Sequence, residues 1–294
     1  MNTLALKNAQ RTVTRTAAVA FIILVTSHSA RAQLIPDDWF RFDDGADNVS
    51  RAEPFGAEDF GSQDNPVQIP EPMVFDLVRP LGADRGEFEM NVLGEFPLGS
   101  ARQHVDEYHG GDEFEPRGVE WAPEIEYAVR DGFAVEFELP YEDRKLEAYK
   151  AAFQLTFGTG LDNRFIHGAQ VIIEPDIHFE EWELTGLYLA GLKFSETWSM
   201  LAMIGMRSEI AESEGVEHND GLFNLAIFAD LTYHVTAGLE ADLTYGESER
   251  TSLLLMPQLN CEITDHFEVQ AGVGVDFTDA DTVPLAATRI IYSR

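Results

Sequence analysis

The stretch EIEYAVRDGFAVEFELPYEDR, residues 124–144, alternates on both sides of the turn at Asp131-Gly132. Ile125, Tyr127 and Val129 share one side with Phe133, Val135, Phe137 and Leu139. Glu124, Glu126 and Ala128 share the other with Ala134, Glu136 and Glu138. A period of two on either side of an Asp-Gly turn predicts a β-hairpin. With the turn centred on Asp131, Glu126 faces Glu136 and Glu124 faces Glu138. Like charges directly opposite one another destabilise a strand pair. The face that carries them therefore needs water or cations, and which face is wet decides the fold.

The same alternation runs from Arg85 almost to the end of the chain. It predicts strands at 86–97, 118–129, 132–142, 145–158, 164–174, 180–194, 197–210, 221–233, 235–247, 250–263, 266–277 and 283–292. No helical period interrupts them, so the fold class is all-β and antiparallel. Tight connections such as Arg130–Gly132, Thr159–Asn163, His234 and Thr264–His266 alternate with a set that includes the long Gly99–Arg117 and Ala211–Asp220. Short periplasmic turns alternating with longer external loops characterise outer-membrane barrels. The pattern predicts a transmembrane β-barrel of about 12 strands with both termini in the periplasm.

The first residues agree with export. Lys7, Arg11 and Arg15 precede the apolar run Ala17–Val25, and Ala30-Arg31-Ala32 offers a small-x-small cleavage site. Residues 1–32 are expected to be a cleaved signal peptide, with the mature chain starting near Gln33. Residues 33–72 are acidic, rich in Gly, Pro and Asn, and aperiodic; they read as a periplasmic linker or as a plug-like arm inside the barrel. Residues 73–294 are assigned to the barrel. The single cysteine, Cys261, excludes an intramolecular disulfide. With 20 Lys and Arg against 52 Asp and Glu, the chain repels nucleic acid and attracts cations.

A soluble barrel also alternates, with its apolar face inward. Here the apolar face carries aromatics near the strand ends, among them Phe133, Tyr141, Trp182, Phe194, Trp198, Tyr245, Phe267 and Phe277. Such girdles mark the two interfaces of a membrane barrel. The carboxylates then face the lumen, as a charge network of Glu87, Glu89, Glu124, Glu126, Glu136 and Glu138 with the basic residues Lys150, Lys193, Arg207 and Arg289. Around the Glu142–Lys145 turn, Lys150 lies opposite Glu138, and Arg289 is expected to close the barrel beside Glu87 or Glu89. The strand at 197–210 fits this scheme poorly, because Leu201 and Met203 fall on its inward face.

The stretch SLLLMPQLNCEITDHFEVQAGVGVDFTD, residues 252–279, joins a strand with a central proline, a polar turn, and a strand containing Gly272 and Gly274. It resembles the closing hairpins of the proteobacterial outer-membrane family described as transporters of the meta-pathway of phenol degradation. FSETWSMLAMIGM, residues 194–206, resembles an earlier hairpin of that family. The resemblance covers Arg85 to the end and implies a barrel that passes small, often hydrophobic molecules. Where that family commonly has Pro-Gly, this chain has Pro257-Gln258. Barrels of this kind finish on an aromatic residue read by the barrel assembly machinery; here the end is Tyr292-Ser293-Arg294, with Tyr292 two positions early.

The first long loop contains His104, Asp106, Glu107 and His109, a candidate divalent-metal set without a strict motif. Acidic loops also offer divalent bridges to lipopolysaccharide phosphates. There is no Gly-x-Ser-x-Gly, phosphate loop, dinucleotide fingerprint or Cys-x-x-Cys, so no cofactor is expected. The leading functional expectation is a passive channel for small hydrophobic or cationic solutes through an acid-lined lumen. The alternatives are a closed structural barrel filled by its own charges, and a barrel enzyme of lipase or protease type.

Overall fold

A computed structural model describes residues 67–294 apart from 76, 99–101, 105–113, 117, 212–214, 247–250 and 279–281. The expected signal peptide and residues 33–66 of the acidic arm lie outside the described residues. The strands are β1 (Phe88–Pro97), β2 (Arg102–His104), β3 (Phe114–Pro116), β4 (Glu120–Arg130), β5 (Phe133–Glu138), β6 (Tyr141–Glu142), β7 (Lys145–Leu146) and β8 (Lys150–Gly160). They continue as β9 (Phe165–Pro175), β10 (Glu181–Lys193), β11 (Trp198–Ala211), β12 (Gly215–Thr232), β13 (Val235–Tyr245), β14 (Ser252–Thr264), β15 (Phe267–Thr278) and β16 (Thr282–Ser293).

Twelve of them, β1, β4, β5 and β8 to β16, form one antiparallel ring. Each pairs with its neighbours in the ring, and β1 closes it by pairing with both β16 and β4. Closure removes the unpaired edges that a lipid environment does not tolerate. The short β2–β3 hairpin lies within the 99–117 connection. β6 extends β5 in the same register on β4, and the break between them falls at Pro140, which has no N–H to donate. All twelve strands expected from the period-two pattern are therefore present.

One connection differs from expectation. Ala211–Asp220 reads as a long loop, yet β11 and β12 pair as far as Ala211 and Gly215. A register shift after Glu209 accommodates Glu217 as the extra residue. The shift hides the alternation that would have marked the extension.

Burial separates the two faces without ambiguity. Glu126 is 0% exposed while its neighbours Ile125 and Tyr127 are 49% and 44% exposed. The same inversion holds round the ring: Phe153, Tyr188, Ile204, Phe223, Leu239, Leu259, Val273 and Ile290 point outward. An apolar surface of that extent is stable only against lipid. The aromatics expected at the rims are there as well: Trp182, Phe194, Trp198, Tyr245, Phe267 and Phe277 are all exposed. At one rim Trp121 stacks on Tyr141 at 4.3 Å, and at the other Phe267 packs on Tyr292 at 5.3 Å. The protein is a transmembrane barrel of the bacterial outer-membrane type, with a polar-in, apolar-out wall.

The barrel wall begins at Phe88. Of the described residues before it, 67–75 and 77–83 are mostly buried inside the barrel, and 84–86 are exposed at its end. Val67, Ile69, Leu77, Val78 and Leu81 are buried against Ile166, Leu187, Leu189, Leu201, Met203 and Phe228 of the inner wall. Met73 packs on Leu254, Met256 and Leu285 on the other side. The segment returns to the wall at the tight-turn end, where the Gly86 amide donates to Ala128 and the Gly132 amide donates to Ala83. Both ends of the wall meet there too, with reciprocal bonds between Phe88 and Arg294.

Candidate functional site

The interior is built from inward residues of alternating strands plus the lumenal segment 67–87. Its wall is two-sided. β9 to β12 present aliphatic side chains, which the segment covers; β1, β4, β5 and β8 present carboxylates and the lysine that faces them. The tight turn at Asp131-Gly132, where Gly132 has φ +68°, sets the register of the second side. Glu124 pairs with Glu138 and Glu126 with Glu136 across β4 and β5, and Lys150 of β8 lies opposite Glu138.

Three basic side chains enter this acidic side. The Lys150 ammonium contacts Glu138 and lies 3.8 Å from Glu136. Arg289 of β16 contacts Glu124 and reaches Glu126 at 3.4 Å and Glu71 at 3.5 Å. The third, Arg79, comes from the lumenal segment: its guanidinium lies 3.0 Å from Glu89, 3.1 Å from Glu87 and 3.7 Å from Glu126. Asn91 completes the cluster by donating from Nδ2 to Glu126 at 2.8 Å and Glu89 at 3.2 Å.

Eight of the ten residues expected in the network thus come together: the six glutamates, Lys150 and Arg289. Arg289 is not beside Glu87 or Glu89 as expected. Its register partner on β1 is Leu93, and Arg79 takes the place on Glu87 and Glu89 instead. Lys193 and Arg207 stand apart. Lys193 is 3.9 Å from Asp230 and Arg207 is 3.1 Å from Asp220 and 3.5 Å from Glu183, on the β10–β12 side. Glu71, Arg79 and Asn91 are the members that sequence reading did not find. The inward Leu201 and Met203 were the signal for the first two, because apolar residues on a polar wall need an apolar cover.

The lumenal segment is fixed by more than charge. The Glu240 carboxylate of β13 accepts the amides of Met73, Val74 and Phe75 at 2.9, 3.2 and 2.7 Å. Gln154 of β8 accepts the Arg79 amide at 3.5 Å and donates to the Arg79 carbonyl at 2.6 Å. Gln170 of β9 accepts the Val78 amide at 3.2 Å, and Thr156 accepts that of Gly82 at 2.9 Å. Among the described residues, a cavity of about 20 Å³ lies between Phe75, Leu93, Glu124, Glu138 and Arg289, roughly the space of one water.

Of the candidate loop metal set, His104 ends the short strand β2, and Asp106, Glu107 and His109 lie outside the described residues. Among the described residues, two acidic groups occur in the lumen, Glu71–Glu89–Glu126 and Glu124–Glu126–Glu136, each with carboxylate oxygens within 4.8 Å of one another.

No protein-family model matches the chain. No curated protein matches it either. Solved structures do. The COG4313 outer membrane channel from Pseudomonas putida F1 superposes with a TM-score of 0.58 at 10% identity, over 73% of this chain and 97% of that one. The KdgM porin, solved in complex with disordered oligogalacturonate, gives 0.51 at 9% identity over 69% and 98%. The NanC porin gives 0.50 at 9% identity over 70% and 99%. At such identities the likeness is one of fold, and the fold is that of outer-membrane porins and channels.

Proposed function

We propose that this protein is a passive channel for small molecules whose lumen favours cations. The carrying observation is that the wall encloses a chain segment, residues 67–75 and 77–81, in addition to its own side chains. A barrel of about eight strands is filled by its wall residues alone. This twelve-stranded one admits a polypeptide, and an interior of that width accommodates a small solute when the segment shifts. The acid excess of the lining points to cationic or neutral solutes rather than anions. The aliphatic side formed by β9 to β12 offers apolar solutes a surface, in keeping with the resemblance to phenol-pathway transporters. The tight turns, the wall's two ends and the return of the segment share one rim, which we assign to the periplasm.

A second reading, a closed structural barrel, is favoured by the close fit of the segment against both sides of the wall. Single-channel recording of the refolded protein in planar bilayers under a salt gradient separates the two. Discrete steps with a cation-selective reversal potential are expected. Silence from protein that is folded by circular dichroism and heat-modifiability supports the closed barrel instead.

A further inference from the structure

Among the described residues, six glutamates of the acidic side are more than nine-tenths buried, against three buried cations, Arg79, Arg289 and Lys150. Uncompensated charge in such a place is costly and draws in protons or cations. The shortfall is sharpest at Glu71. Neither of its carboxylate oxygens accepts a hydrogen bond, although the residue is only 7% exposed, and its ion pair to Arg289 is 3.5 Å long. Its oxygen lies within 4.8 Å of those of Glu89 and Glu126. Ligand oxygens on opposite sides of a calcium ion, each at about 2.4 Å, are about 4.8 Å apart. Asn91 supplies an independent sign. Its amide nitrogen already sits between Glu89 and Glu126, while its Oδ1, on a residue 3% exposed, has no hydrogen-bond partner. Turning the carboxamide over brings that oxygen between the Glu89 and Glu126 carboxylates.

We propose that Glu71, Glu89 and Glu126, with the amide oxygen of Asn91, form a buried calcium site that ties the lumenal segment to the β1–β4 wall. All four donors are hard oxygens, with no His or Cys among them, which disfavours zinc. Magnesium demands near-ideal octahedral geometry and retains several waters, whereas calcium accepts irregular sets of carboxylate and amide oxygens. Arg79 and Arg289 bracket the site and neutralise part of it; a dication takes up the surplus they leave. Protons are the rival occupant.

The test is calorimetric titration of calcium into chelator-stripped, folded full-length protein in detergent, alongside its melting temperature, for wild type and Glu71→Gln. Wild type is expected to bind one calcium that Glu71→Gln binds at least about tenfold more weakly. Calcium is expected to raise the melting temperature of wild type only. The proposal is overturned if wild type neither binds nor is stabilised, which leaves protons as the occupant. It is equally overturned if Glu71→Gln responds in full, which assigns the calcium to exposed loop carboxylates. Should Glu71→Gln not fold, Glu89→Gln serves as the second variant. Because binding is read in detergent, a silent channel leaves this result unaffected.

Discussion

Lys150 shows how a single side chain is specified by a hairpin. Its ammonium lies between Glu136 and Glu138, and all three side chains are at most 7% exposed. Removing one partner of a buried ionic group costs about 3–5 kcal/mol, because the desolvated opposite charge remains. Lys150→Met is therefore expected to lower unfolding stability by that amount in a urea titration in micelles. Adding Glu136→Gln and Glu138→Gln to it should recover most of the loss, since neutral amides do not need the ammonium. An equal loss in the triple variant would assign the effect to packing of the lysine stem. These contacts were legible because a two-residue turn and a period of two fix which residue faces which. Arg79 was not legible in the same way. It lies in a segment without period, and its contact with Glu126 joins residues far apart in the chain, which no local pattern encodes.

At the scale of elements, β11 was the strand that argued against the membrane reading. Leu201 and Met203 face inward, are 1% and 2% exposed, and cover the apolar side of the lumenal segment. The misfit was a correct observation whose explanation lay in another element. Glycine makes the close approach possible: a Cβ on Gly191 would stand 2.7 Å from Ile69, and one on Gly272 would stand 2.5 Å from Met73. Gly191→Leu is thus expected to push Ile69 off the β9–β10 wall while leaving the strand ladder intact. Hydrogen exchange should then quicken at the Met73, Val74 and Phe75 amides, which Glu240 holds, with barrel amides unchanged. Uniform quickening of the wall would mean that the glycine serves the strand, and unchanged exchange everywhere would mean that Ile69 is not a fixing point. The strands themselves were readable because each carries its own alternation. The segment was not, because its apolar residues match an inner wall that exists only after the ring closes.

For the whole molecule, the decisive quantity is where the excess of acid sits. The chain carries 52 Asp and Glu against 20 Lys and Arg, and the outer belt is apolar, so the charge of the barrel is confined to the rims and the lumen. These two populations respond differently to salt. The Debye length falls from about 10 Å at 0.1 M to about 3 Å at 1 M, which screens exposed rim charges. Buried carboxylates such as Glu124 and Glu136, 7% and 5% exposed, are screened far less. Cation selectivity should therefore decline between about 0.1 M and about 1 M salt without vanishing. Glu124→Gln with Glu136→Gln should remove most of the part that survives at high salt and little of the part that salt removes. Neutralising the rim residues Glu180 and Glu181 should do the opposite, lowering selectivity at low salt alone. Selectivity that disappears entirely in high salt would place the filter at the rims, and an anion preference at any salt would defeat the acid-lined channel outright.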